Sequence, residues 1–429
     1  MKAVLLAAGE GQRLQPLTST RPKHLIKIAG KPILQFCLDA VKTAGITDVV
    51  IVTHYMGEKI KDYFGDGSSQ GLKISYVEQK MLGGTGNATM VAESFVEDEF
   101  VLIYGDLLFA QNTVKQAVDM YETFKPQAVI AAVAVDEPKN YGIIELTDDK
   151  EFKSIIEKPQ SGDVPSNLVN AGVYVFSKTV FEKLGQVKKS VRGEWELTDA
   201  LTMLASEGKT VKVLELDKKA WFDVGRPWDL LDANIWVLNH MDLQVLGVVE
   251  QGVHLFGRVH VAKTARIRSG VYIEGPVFID EGADVGPNCF IRSGTCLGKK
   301  TRVGNAVEIK NSLIMDNTHV GHLSYVGDSI IGENCNFGAG TITANLRFDC
   351  DSIKMTVKDK KVDTGKRKLG VVFADNVKTG INVSFMPGVK IGTDSWVGAN
   401  LVVDSDVPEC SILQLKQQGY VQLKSKFDE

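Results

Sequence analysis

The segment Ala7-Ala8-Gly9-Glu10-Gly11-Gln12-Arg13-Leu14 follows a short apolar run, and Pro16-Leu17-Thr18 and Arg21-Pro22-Lys23 come next. Glycines in a turn after a strand let backbone N–H groups approach a phosphate, and Arg13 and Lys23 add positive charge where a triphosphate would lie. The spacing departs from the dinucleotide-binding GxGxxG, and the GK[ST] of a P-loop is missing, so neither a Rossmann dehydrogenase nor a P-loop ATPase is favoured. Far downstream, His319 and His322 sit in DNTHVGHLSYVGDS. Histidine can act as a general base near neutral pH, but at the corner of a repeat it is usually a solvated turn residue, which is the reading for His319.

Two kinds of element must carry these residues. Over 1–226, short apolar strands alternate with helical patterns: Ala3 to Leu6, a helix from Pro32 to Ala44, Val49 to Thr53, a helix near Glu58 to Phe64, then Ile74 to Val77. That rhythm predicts a mostly parallel, Rossmann-like α/β sheet. PWDLLDANIWVLNHM, from Pro227, has helical spacing and is expected to be a linker helix within 227–250. Over 251–408 a strict six-residue period takes over. Leu255, Val261, Ile267, Ile273, Ile279, Val285, Ile291, Leu297, Val303, Ile309 and Met315 form one aliphatic column, with smaller residues two positions earlier. A helix would smear such a period around its circumference, whereas three short strands joined by tight turns make one triangular coil. The expectation is a parallel β-helix, its register broken near His319, with glycines such as Gly286, Gly298, Gly304, Gly332 and Gly392 giving its corners backbone freedom. Residues 409–429 read as a tail.

Charged residues make up 24% of the chain and hydrophobic ones 44%, with 49 Lys+Arg against 53 Asp+Glu. This balance argues against a dedicated nucleic-acid binder, whose affinity rests on a basic face. No apolar run approaches the ~18 residues of a membrane span, and Ala3 to Ala8 runs into the glycine loop without a cleavage site. The six cysteines show no metal-ligand spacing. A cytoplasmic protein without a membrane partner is expected.

The N-terminal motifs resemble those of the sugar-1-phosphate nucleotidylyltransferases. Further matches are Gln79 with Leu82-Gly83-Gly84-Thr85-Gly86-Asn87-Ala88, Tyr104-Gly105-Asp106, Tyr141-Gly142, Glu157-Lys158-Pro159, Asn170-Ala171-Gly172 and Trp221-Phe222-Asp223-Val224-Gly225. Joined to the β-helix, which the resemblance makes left-handed, they resemble the archaeal form of the bifunctional uridylyltransferase/glucosamine-1-phosphate acetyltransferases over nearly the whole chain. The resemblance implies a nucleotide site from Ala8, Gly9, Gly11, Gln79, Gly84 and Thr85, with Gln79 and Gly84 reading the base. It implies sugar-phosphate ligands in Gly142, Glu157, Lys158 and Asn170, and Mg²⁺ held by Asp106 and Asp223, with Arg13 and Lys23 neutralising charge. A strand-end cap is the competing role for Asp106. In the β-helix it implies His322 as general base, Asn345 orienting the amine or oxyanion, Arg292 and Lys310 on the sugar phosphate, and Tyr325 and Asn336 on the sugar. Ala339, Ile381 and Ala399 fall where the family packs coenzyme A, and Ile381 stands where bacterial members place a serine.

The implied substrates are UTP or dTTP, sugar 1-phosphates and the co-substrate acetyl-CoA, and the implied assembly is a homotrimer. Two other functions stay open: a single-activity glucose- or mannose-1-phosphate nucleotidylyltransferase whose β-helix serves oligomerisation or regulation, and a non-catalytic scaffold. Residues 346–370 form an insertion with eight Lys/Arg against four Asp. It reads as a solvated loop or as a guide for polyanionic acetyl-CoA.

Overall fold

The structure is a computed structural model that describes residues 1–159 and 164–416. The chain divides into two compact units, Met1–Met241 and Asp242–Glu429. No helix among the described residues is long and apolar enough to cross a membrane.

In the first unit the strand Lys2–Ala7 lies between the parallel strands Asp48–Thr53 and Phe100–Tyr104, with Leu5 opposite both Ile51 and Ile103. Ala3 through Ala7 are all buried, as a strand covered on both faces requires. Lys73–Glu78 continues the parallel part beyond Asp48–Thr53. On the other side Leu168–Phe176 runs antiparallel to Phe100–Tyr104 and forks, pairing with Ala128–Ala134 and, at Val169, with Gly142–Leu146. The glycine loop and Asp106 thus emerge from carboxyl ends of neighbouring strands, where open α/β sheets hold ligands. The helix Pro227–His240 buries Trp228, Leu231 and Val237 among others and packs with the first unit. It stops at His240, because the residues that follow enter the second unit, where Val248–Val249 already pairs with Arg266–Ile267.

The second unit is a parallel β-helix of three strand stacks. Its inward residues repeat every 18 positions at first, as in Ile267↔Val285 and Ile279↔Leu297. The spacing then contracts to 17, with Leu297↔Ile314, Val303↔Val320 and Ile309↔Val326. The break therefore precedes His319: Ile314, not Met315, continues the core column. One residue dropped from the corner after Ile309 does this, because alternation along a strand turns a neighbouring side chain inward. Among the described residues the coil continues to Ile412–Leu413, which pairs with Trp396–Val397. The tail from 417 onward lies outside them.

The corners use glycine differently from the expectation. Gly286 has a positive φ of 107°. Gly304 and Gly332 are required by close approach instead: a Cβ would meet Gly321 O at 1.7 Å and Ala374 O at 2.5 Å. Left-handed corners are shared between glycines such as Gly270, Gly282 and Gly340 and asparagines such as Asn288, Asn311, Asn382 and Asn400.

The insertion is no solvated loop. Ile331 pairs with Phe373, 42 positions on instead of 17 or 18, so an extra stretch of chain leaves and returns at a single corner. It folds as the hairpin Lys354–Val357 and Lys360–Asp363, and Ile353, Met355 and Leu369 are each at most 1% exposed. Its basic residues face outward because those apolar ones, spaced among the lysines, need cover.

Candidate functional site

In the first unit, Gly11 closes the glycine loop at φ 67°, and a Cβ there would lie 3.0 Å from Thr18 Cγ2. Lys23 runs alongside: a Cβ on Gly9 would sit 3.5 Å from its Cε. The Lys23 ammonium pairs with the Asp106 carboxylate, both side chains being largely buried.

Strand pairing brings the second carboxylate. Trp221–Asp223 runs antiparallel to Leu107–Phe109 with Asp223 opposite Leu107, the neighbour of Asp106. The guanidinium of Arg13 lies against the turn that follows, since a Cβ on Gly225 would stand 2.8 Å from its Nη2. Burial and then the Asp106 charge hold the Asp223 carboxyl above its usual range, against Arg13, Lys23 and Lys158. Asp106 moves down: burial opposes this, but the charges of Lys23 and Arg13 outweigh it. Sequence reasoning missed His24, which burial and Lys23 push down to about 3, so it stays neutral at the carboxylate's side.

Two adjacent buried carboxylates, restrained by cations, suit a hard divalent ion. Among the described residues no group of three His, Cys, Asp or Glu could enclose a metal. Asp106 and Asp223 could hold a hard divalent ion of the kind that takes one or two carboxylates and completes its shell with phosphate oxygens and water.

These carboxylates open onto a cavity of about 210 Å³ whose wall includes Arg13, Thr85, Gly142, Glu157, Lys158 and Asn170. Glu157 stands opposite Gly142 in the pairing of Phe152–Glu157 with Gly142–Leu146. A Cβ on Gly142 would strike Glu157 Oε2 at 2.7 Å. Gln79 is 2% exposed and gives its amide hydrogens to Asn87 Oδ1 (2.9 Å) and Gly84 O (3.2 Å). Gly84 has φ 90°, with no room for a Cβ beside Trp195 O. Ala8, Gly9, Gly11, Lys23, Gln79 and Gly84 are not among the residues that line this cavity. Arg192 was not foreseen: it lines the cavity and reaches Glu157 and Glu196, each at 3.4 Å.

In the second unit, Asn345 Nδ2 lies 3.1 Å from the Tyr325 hydroxyl and 2.5 Å from Asp328 Oδ2. Lys310 reaches the same carboxylate at 3.0 Å and Asn311 at 2.7 Å. Arg292 pairs with Glu308 at 2.8 Å, and Glu308 faces Tyr325 in the strand register. Burial and then Asp328 raise the Tyr325 hydroxyl above its ordinary range. Asp328 and Glu308 were absent from the expected set, yet the repeat points to both. Asp328 follows Gly327, the register partner of Lys310, and Glu308 is the register partner of Phe290, two residues before Arg292.

His322 occupies the preceding corner, exposed, its imidazole without a hydrogen-bond partner among the described residues. The register His319↔Asn336, Asn336↔Lys378 and Lys378↔Trp396 stacks His322, Ala339, Ile381 and Ala399 in one corner column. Hydrogen bonds link it: Asn382 N donates to Ala339 O and Asn400 N to Ile381 O. Asn336 is not brought to the cluster within one chain, because its strand belongs to a different stack from that of Tyr325.

Residues 2–240 match the nucleotidyl transferase family and 273–379 the GMPPB C-terminal domain. The bifunctional protein GlmU of Methanocaldococcus jannaschii is 46% identical over 407 residues, covering 95% of this chain and 96% of its own. The bifunctional sugar-1-phosphate nucleotidylyltransferase/acetyltransferase of Sulfurisphaera tokodaii is 43% identical over 409 residues, covering 95% and 98%. A UDP-glucose pyrophosphorylase solved with UDP-glucose aligns with 54% of this chain and 96% of its own at 27% identity and a TM-score of 0.50. With 95% of the chain, across both units, matched at such identity, the chain belongs to the GlmU-type family of bifunctional nucleotidyl transferases.

Proposed function

We propose that the two units carry the two last steps of UDP-N-acetylglucosamine synthesis. The β-helix N-acetylates glucosamine 1-phosphate from acetyl-CoA, and the α/β unit transfers uridylyl from UTP to N-acetylglucosamine 1-phosphate, releasing pyrophosphate. The observation that carries the reading is the presence of two separate polar clusters, one around Asp106 and Asp223 and one around Asp328, each inside its own unit.

In the α/β unit the sugar phosphate oxygen attacks the α-phosphorus in line. The protein's share is positioning and charge. Lys158, Glu157, Asn170 and Gly142 hold the sugar phosphate, while Gln79, Gly84, Thr85 and the glycine loop hold the nucleotide. Asp106 and Asp223 would hold Mg²⁺, which when bound neutralises triphosphate charge. Arg13 and Lys23 supply the remaining positive charge.

In the β-helix the sugar amine attacks the acetyl thioester and His322 takes its proton. Lys310 and Arg292 hold the phosphate, Tyr325 positions the sugar, and Asn345 orients the amine or the oxyanion. The column Ala339, Ile381 and Ala399 receives acetyl-CoA beside His322. Asn336, on another face, meets the sugar from a neighbouring subunit of a β-helix homotrimer.

The single-activity alternative draws on the match of the second unit to the GMPPB C-terminal domain. One preparation decides between them: thiol release from acetyl-CoA with glucosamine 1-phosphate, and pyrophosphate release from UTP with N-acetylglucosamine 1-phosphate. Wild type should do both. His322→Ala should lower thiol release by roughly 10²- to 10⁴-fold and leave pyrophosphate release within a few fold. Absence of thiol release from wild type would favour the single-activity enzyme.

A further inference from the structure

Through the wall of the first unit's cavity runs a file of hydrogen-bonding side chains of which the proposed mechanism uses only the two ends, Asn170 and Thr85. It begins at an irregularity in Leu168–Phe176, whose pairing with Ala128–Ala134 slips between Asn170 and Tyr174. Gly172 sits in that slip at φ 71°, where a Cβ would strike Leu107 Cδ1 at 2.6 Å and Tyr104 Cδ2 at 2.8 Å. Four residues of regular strand would span about 13 Å, yet Asn170 Nδ2 reaches the Tyr174 hydroxyl at 2.5 Å. A bulge bends the strand and re-aims its side chains, which is how the two meet.

The direction of the file follows from which groups can donate. Gly172 N–H donates to Asn170 Oδ1 at 2.9 Å, which fixes the amide with its nitrogen toward Tyr174. That nitrogen only donates, so the Tyr174 oxygen accepts, and its O–H passes to the Tyr104 hydroxyl at 2.9 Å. The Tyr104 hydroxyl lies beside Thr85 as well as Asn170, and Thr85 Oγ1 accepts the Leu197 N–H at 3.1 Å. Asn170, Tyr104 and Thr85 all line the cavity, whereas Tyr174 lies wholly behind it.

We infer that Tyr174 is a positioning residue that couples the two substrate subsites, holding Asn170 on the sugar-phosphate side in register with Thr85 on the nucleotide side. The inference rests on the nucleotidyl-transfer reading of this cavity. Hydrogen bonds in such a file polarise one another, and the file is orderly only when every member is satisfied. A ligand that fixes Thr85 therefore pre-orders Asn170 for the second ligand, and the effect is reciprocal.

The test uses the full-length protein with Tyr174→Phe, Tyr104→Phe and the double variant, each phenylalanine keeping the ring and its packing. Calorimetry gives the Kd of N-acetylglucosamine 1-phosphate alone and with a saturating non-hydrolysable UTP analogue. In wild type the analogue should tighten sugar-phosphate binding by about 5-fold or more. Tyr174→Phe should abolish that tightening while leaving the Kd of the analogue alone within about two-fold. The double variant should lose no more than the worse single one, since both break one file. Should Tyr174→Phe fail to fold, Tyr104→Phe alone must show the loss. Retained tightening, additive effects or the absence of tightening in wild type would overturn the inference. Pyrophosphate release by wild type keeps the two readings apart: with it, a failed coupling test removes only the role of Tyr174, and without it the reading of the cavity falls.

Discussion

Asn345 and Lys310, thirty-five positions apart, meet on one carboxylate: Asp328 receives the amide at 2.5 Å and the ammonium at 3.0 Å. Asp328 is 3% exposed, so it is positioned to set both side chains toward the surface they present.

Asp328→Asn removes the countercharge of Lys310 and leaves its ammonium poorly compensated, a costly condition for a sheltered charge. Thiol release from acetyl-CoA should fall by about 10-fold or more, with a raised KM for glucosamine 1-phosphate. Pyrophosphate release on the same sample should not change.

Nucleotidyl transfer should require a divalent ion. Asp106→Asn and Asp223→Asn should each lower kcat by ~10²-fold or more, read as pyrophosphate release across a Mg²⁺ titration. Near wild-type turnover in both would remove the pair as the ion's ligands.

Lys23 pairs with Asp106 and runs beside Gly9 and Gly11. Lys23→Ala should therefore raise the KM for UTP more than the KM for the sugar phosphate. An effect confined to the sugar phosphate would move Lys23 to the other subsite.

Asp229 accepts the N–H groups of Gly225 and Arg226 at the start of its helix. Burial and then Asp223 push its carboxyl up from 3.8 to about 7. A carboxyl raised on folding favours the folded state while protonated, so its contribution is complete below about pH 4 and lost as pH rises through about 7. Asp229→Asn keeps the acceptor and removes the titration. The melting temperature of wild type should fall relative to this variant between pH 4 and 7, and parallel curves would contradict the assignment.

Met355, in the inserted hairpin, has no exposed surface. Met355→Asp should destabilise the second unit by about 3 kcal/mol, seen as a shift of its transition in denaturant. Lys358→Asp, on the hairpin's turn, should leave that transition in place.

The repeat was legible because every coil restates the same inward requirement, so Ile267, Ile273 and Ile279 announce a core without knowledge of any partner. A single dropped residue escaped notice because both Ile314 and Met315 are apolar and buried, and only the pairing Leu297↔Ile314 separates them. The insertion misled through its basic residues: eight positive charges conceal three well-spaced apolar side chains. In the first unit the order of motifs located the cavity. His24 adjoins the Arg21-Pro22-Lys23 motif and only its burial was hidden, whereas Arg192 acts through space from a segment whose local sequence carries no signal. Tyr174 was invisible for the same reason, since a regular strand would have kept it far from Asn170.

The detour at 346–370 leaves the rungs on either side in register, with Ile331 against Phe373 and Thr343 against Phe385. Each rung leans only on the one above and the one below. Such a tower has landings from which an outbuilding can be hung without moving a storey. A foreign peptide spliced in place of the hairpin would inherit a pedestal whose height and facing are already set by the floors beneath it.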